Sequence, residues 1–208
     1  MTAFEFGIEK SDKILIQPVD EHDLDVIENE VRLIKKQVGS DFRLLALKVE
    51  QWNSDLSPWQ APPVFGEESF GDGAANTLAE ILSLTNDKEK RYFIGGYSLA
   101  GLFALWAAYQ TDVFAGVAAA SPSVWFPGFT DYMRANEIKT GNVYLSLGDR
   151  EERTRNPIMA TVGGRIREIQ AVLIRKGVNS FLEWNQGNHF KEPDIRTAKA
   201  FSWLLTQE

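Results

Sequence analysis

The sequence predicts an α/β fold, a mostly parallel sheet with helices on both faces. Three observations lead there. Short apolar runs alternate with helix-length amphipathic segments from one end of the chain to the other. The segments between the runs are long enough for crossover helices, which join parallel strands by right-handed connections. One run, residues 91–94, enters two glycines and a serine and then an apolar, alanine-rich stretch, the layout of a strand turning sharply into a helix.

The elements follow in order. Residues 13–17 read as a strand, and residues 22–38 as a helix with Leu24, Ile27, Val31 and Ile34 on one face. Residues 43–49 are the next strand. Residues 50–71 then form a long loop rich in Pro, Gly, Ser and aromatics. Such a loop inside a compact domain is either disordered or functional, and Trp52, Trp59, Phe65 and Phe70 favour function. Residues 74–83 are a helix, 91–94 the strand before Ser98, and 99–109 the helix after it. A strand over 114–119 leads into the loop SPSVWF at 121–126, and 128–136 is a short helix. Residues 143–147 are a strand, 158–176 a long helix opening after Pro157, 181–184 the last strand, and 194–205 the closing helix. No repeat, low-complexity tract or linker interrupts this order, so residues 1–208 read as one domain.

Composition narrows the function. A chain of 208 residues buries roughly 70% of its unfolded surface. A net charge of −7 argues against a general nucleic-acid binder, which needs a basic stripe to displace counterions. The absence of cysteine excludes disulfides, thiolate metal sites and cysteine nucleophiles. The N-terminus lacks the features of a secretory signal, and no apolar run approaches membrane-span length. Neither G-x-G-x-x-G nor G-x-x-x-x-G-K-[ST] occurs, so neither motif supplies a phosphate cradle. The expectation is a cytoplasmic protein with no cofactor, no metal and no nucleic-acid or membrane partner. A homodimer is left open.

The segment GYSLAG at 96–101 has the form of a nucleophile elbow. Strand and helix approach so closely there that the residues two before and two after the serine must be small, as Gly96 and Ala100 are. A serine hydroxyl is a weak nucleophile without a base, and the base needs an orienting partner. Only two histidines exist. His189 follows the last strand in a loop free to swing toward Ser98, whereas His22, inside an acidic helix start, reads as a solvated or capping residue. The acid is expected after the strand between them, in GDREER over 148–153. Glu151 has the reach and freedom to face the histidine, Asp149 is the second choice and Glu152 the third. Oxyanion donors are expected from the amide of Leu99 and from Val19 or Asp20, since Pro18 has no N–H.

At this point the residues resemble an esterase family of the α/β-hydrolases that contains the esterase D-type enzymes and the enterochelin-esterase-like hydrolases. The likeness rests on GYSLAG at 96–101, ASPSVW at 120–125, GDRE at 148–151, GNHF at 187–190 and DLSP at 55–58. It runs from about residue 13 to the C-terminus. The resemblance implies an α/β-hydrolase fold with Ser98 as nucleophile, His189 as base and Glu151 as acid. Ala100 departs from the usual glycine, and QPVD at 17–20 replaces the usual glycine segment of the oxyanion hole. The short chain implies no separate lid. Tyr97, Trp52, Asp55, Trp59 and Trp125 are the candidate pocket residues, with Trp106 and Trp203 assigned to the core. The machinery suits a carboxylic ester, and equally a thioester, an amide or a siderophore lactone. A non-catalytic binding module would have no physical need for the full serine, acid and histidine set.

Overall fold

The computed structural model describes residues 1–207. Among these, seven strands form one sheet: β1 (Thr2–Gly7), β2 (Lys13–Val19), β3 (Arg43–Lys48), β4 (Arg91–Tyr97), β5 (Phe114–Ala120), β6 (Asn142–Gly148) and β7 (Asn179–Asn185). Their order is β1-β3-β2-β4-β5-β6-β7. Every neighbouring pair is parallel except β1 with β3. The helices are α1 (Glu21–Val38), α2 (Trp52–Asp55), α3 (Ala74–Ser83), α4 (Ser98–Gln110), α5 (Phe129–Ala135), α6 (Val162–Arg175) and α7 (Pro193–Leu205).

Alternate residues of the same strand feed two separate cores, because successive side chains in a strand point to opposite faces. Ile14 and Ile16 join the core shared with α3, α4, α5 and α6. Leu15 and Val19 join the one closed by α1 and α7. Helices cover both faces, which is why the strands read as continuous apolar runs. Helix α4 is buried all round from Leu99 to Tyr109, matching its uniformly apolar sequence.

Strand β1 has no counterpart in the sequence reading. Five of its six residues are exposed, so it adds backbone pairing at a sheet edge and little apolar burial. The helix expected over 158–176 is two pieces, a 3₁₀ turn at Met159–Thr161 and then α6. The Asn156 side chain accepts from the amides of Ile158 and Met159 and holds the chain in a turn before the helix begins. The strand expected to stop at residue 94 continues through Gly95 and Gly96 to Tyr97. At Gly95 a Cβ would stand 2.5 Å from Ala118 Cβ, so the close approach of β4 and β5 requires glycine.

The long loop after β3 is ordered. It contains α2 and a bridge between Ala61 and Phe70, and it is pinned to the start of α5 where Trp59 Nε1 donates to the Pro127 carbonyl at 2.9 Å. Among the described residues, no helix is long and apolar enough to cross a membrane, and no cluster of three or more His, Asp or Glu side chains could hold a metal ion.

Candidate active site

The carboxyl ends of five strands converge on one rim of the sheet. Asp20 follows β2, Ser98 follows β4, Ser121 follows β5, Glu151 lies just past β6 and His189 follows β7. Open parallel sheets place ligand sites at this rim.

Ser98 occupies the turn from β4 into α4 with φ of 55°, a left-handed conformation that a non-glycine residue adopts only when its surroundings force it. The forcing is visible next door. A Cβ on Gly96 would stand 2.6 Å from Ala100 Cβ, so the residues two before and two after the serine do meet across the turn. The Leu99 amide lies in the first turn of α4, where helix geometry offers no intrahelical acceptor and the dipole favours negative charge.

His189 Nε2 lies 3.0 Å from Ser98 Oγ, and its Nδ1 lies 2.7 Å from Glu151 Oε2. Burial pushes the Glu151 carboxyl up. The His189 hydrogen bond and charge, the Gly148 amide and the Ser121 hydroxyl outweigh that, and the net position is below the ordinary carboxylate value. An ionised Glu151 only accepts, so Nδ1 carries the proton and Nε2 is left to accept from Ser98. With its own O–H directed at Nε2, Ser98 Oγ is the acceptor for the Ser123 hydroxyl 3.2 Å away.

Asp149, the second candidate for the acid, is engaged elsewhere. Its Oδ1 accepts from the Gly187 amide at 2.8 Å, tying the β6 turn to the histidine loop. Val19 is fully buried inside β2 and registered with Lys48 of β3, away from the cleft. Asp20 does line the cleft. As the N-cap of α1 it takes part in a capping box, and its amide donates to Asp23 Oδ2 at 3.3 Å. Any oxyanion reaching the Asp20 amide must compete with that carboxylate. Burial and the neighbouring Asp20 charge push Asp23 up from 3.8 to about 7, which makes it a weaker competitor below neutral pH.

A cleft of about 240 Å³ opens over Ser98 and His189. Its other walls are Asp20, His22, Asp23, Trp52, Tyr97, Phe190 and Pro193. Of the expected pocket residues, Tyr97 and Trp52 are present and three are not. Trp59 packs among Phe126, Phe129 and Tyr132. Trp125 is buried against Phe65 and Phe70, outside this cleft, where with Ser121, Glu151 and His189 it lines a separate small cavity of about 20 Å³. Asp55 turns back on its own loop to accept from the Gln51 amide. Proximity in sequence to the loops of the rim did not decide which side of each loop faces the cleft.

Solved structures of known hydrolases share this geometry at the level of the fold. An IroE-like serine hydrolase from Shewanella oneidensis superposes with a TM-score of 0.76 at 13% identity, covering 98% of this chain and 75% of that one. The siderophore hydrolase EstA from Aspergillus nidulans gives 0.67 at 16% identity, covering 98% and 93%. A Bacillus cereus carboxylesterase gives 0.61 at 14%, covering 98% and 94%. No family model and no curated protein matches the sequence itself. The fold is that of the α/β-hydrolases. At these identities the likeness carries the architecture and leaves the substrate to the site.

Two groups escaped the sequence reading. His22, set aside as solvated, stands on the cleft wall in the first turn of α1. Arg196 is 1% exposed and bonds both Glu151 and the histidine loop. One signal for it was present: α7 otherwise presents Ala200, Phe201 and Leu204 to the core, and an arginine in that stripe must have buried partners.

Proposed function

We propose that this chain is a serine hydrolase that cleaves a small carboxylic ester through an acyl-enzyme. The observation that carries the reading is the continuous pair of contacts, Ser98 Oγ to His189 Nε2 at 3.0 Å and His189 Nδ1 to Glu151 Oε2 at 2.7 Å. Both distances are within reach for proton transfer in a ground state.

Ser98 Oγ attacks the ester carbonyl carbon as its proton passes to His189 Nε2. The carbonyl oxygen becomes an oxyanion, and the Leu99 amide donates to it. Glu151 holds the imidazole by Nδ1–H and stabilises the imidazolium through its charge. The intermediate collapses, the C–O bond to the alcohol breaks, and the alcohol departs with the proton from Nε2. Water then attacks the acyl-serine with His189 again as base, releasing the carboxylic acid and restoring the Ser98 hydroxyl.

The cleft fits a compact substrate. At about 240 Å³ it lies just below the range typical of drug-sized ligands, and its aromatic walls suit a short acyl chain or a single ring. Hydrolysis of short p-nitrophenyl esters tests the reading. Ser98→Ala should lower kcat/KM on the order of 10⁵–10⁶-fold, and Glu151→Gln, which offers Nδ1 the wrong partner, on the order of 10³–10⁴-fold. Wild-type turnover that survives Ser98→Ala would reject it.

A further inference from the structure

We propose that Arg196 is a positioning residue for the proposed triad, holding the acid and the backbone of the base-bearing loop on a single buried guanidinium. The inference rests on the hydrolase reading above and concerns how its geometry is kept.

The contacts fall into two sets. Nη1, with two protons to give, lies within hydrogen-bond reach of three acceptors, Glu151 Oε1 at 2.7 Å, Ser121 Oγ at 2.9 Å and Tyr97 Oη at 3.1 Å. Nη2 donates to the carbonyl of Asn188 at 3.0 Å and reaches that of Gln186 at 3.4 Å. Tyr97 Oη passes the connection on, donating to the His189 carbonyl at 2.7 Å. Three carbonyls of one short loop, at residues 186, 188 and 189, are therefore oriented directly or through Tyr97 by the same cation.

Division of labour on the acid is equally specific. Oε1 of Glu151 accepts from Arg196, Ser121 and the Gly148 amide, which leaves Oε2 for the imidazole alone. A carboxylate held this way cannot rotate to present the wrong oxygen. The guanidinium does not line the cleft, so it acts on the substrate only through Glu151, the histidine loop and Tyr97, whose ring does line the cleft. A lysine could not replace it, because one ammonium cannot span both ends in a planar fork.

Charge adds a second consequence. The charged and titratable groups facing Glu151 are His189 from the loop after β7, Arg196 from α7 and Tyr97 from β4, and His189 in turn shares the cleft with Asp20, His22 and Asp23 at the start of α1. Removing the guanidinium leaves the buried carboxylate with one positive partner in place of two. The charge balance at the triad then changes, and the acid limb of the pH–rate profile, which reads it, moves to higher pH.

The test uses Arg196→Met and Arg196→Lys in the full chain, with p-nitrophenyl acetate as the probe. Arg196→Met should lower kcat tenfold or more, leave KM within about threefold, and move the acid limb to higher pH. Arg196→Lys should return the limb to its wild-type position while kcat stays low, separating charge from positioning. Proton NMR of substrate-free protein supplies an independent readout: the low-field signal of the His189 Nδ1–H should be present in wild type and lost in Arg196→Met. An unchanged signal and limb in Arg196→Met would overturn the proposal, as would a loss confined to KM. If Arg196→Met does not fold, wild-type kcat in Arg196→Lys overturns it. Absence of wild-type turnover would instead count against the hydrolase reading, and the NMR signal would then decide the role of Arg196 alone.

Discussion

The proton on His189 Nδ1 is where the proposed chemistry is decided. Two carboxylates follow β6 within three residues, and they differ in what they touch. Glu151 accepts from the imidazole, whereas Asp149 accepts from the Gly187 amide. Asp149→Ala should therefore cost about tenfold in kcat/KM by loosening the histidine loop, far less than Glu151→Gln, and steady-state kinetics on the two variants checks the order. Ser98, His189 and Glu151 were legible in the sequence because each constraint is local. The serine needs small neighbours, two histidines leave little choice, and the acid needs reach. Arg196 was legible only as an arginine in an apolar stripe that must have buried partners, and His22 not at all, since which groups each meets is set by packing of a helix whose rotation the sequence does not state. The misplaced Trp59 has the same origin. An aromatic in a loop can cap a core or line a cleft, and only tertiary contact chooses.

At the scale of elements, glycine spacing sets approaches that apolar patterning cannot. Gly95 allows β4 to lie close to β5, with Ala118 Cβ 2.5 Å and its carbonyl oxygen 2.6 Å from where a Cβ would sit. Gly95→Ala should destabilise the protein by about 1–3 kcal/mol through overpacking. Gly164 offers the contrast. It lies in α6, and a Cβ added there would meet nothing within 4 Å, so Gly164→Ala should stabilise by about 0.5–1 kcal/mol through backbone entropy. Urea unfolding of the two variants reads both signs. Elements with a strong pattern, such as α3 and α4, were legible nearly to the residue, because burial dictates composition. Strand β1 was not, because an exposed edge strand is held by main-chain bonds that any sequence supplies.

Across the whole molecule the two cores differ in one respect that stability should report. Beneath the α1–α7 side lies Glu30, 2% exposed, with Gln17 Nε2 at 3.4 Å from its Oε2. Burial raises its carboxyl well above 4.5, the Gln17 bond opposes that, and the charges of Asp23 and Asp194 add to it. Above pH 4.5 the folded state therefore keeps a proton that the unfolded chain has released. The sign follows: each pH unit in that window subtracts about 1.4 kcal/mol from stability, until Glu30 ionises in the folded state. Glu30→Gln removes the Glu30 part of the dependence and leaves that of Asp23, raised to about 7, so its stability advantage over wild type should widen between pH 5 and pH 7 in thermal melts. A constant difference across that range would contradict the buried, protonated carboxyl.

The parallel sheet gathers five strand ends on one rim, and the proposed function depends on what that rim does to Ser98. Its reactivity is read most directly by mass spectrometry after treatment with a fluorophosphonate. A single adduct on Ser98 is expected in wild type, absent in Ser98→Ala and absent or strongly slowed in His189→Ala. An adduct that persists in both variants, or that maps to another residue in wild type, would contradict the serine assignment.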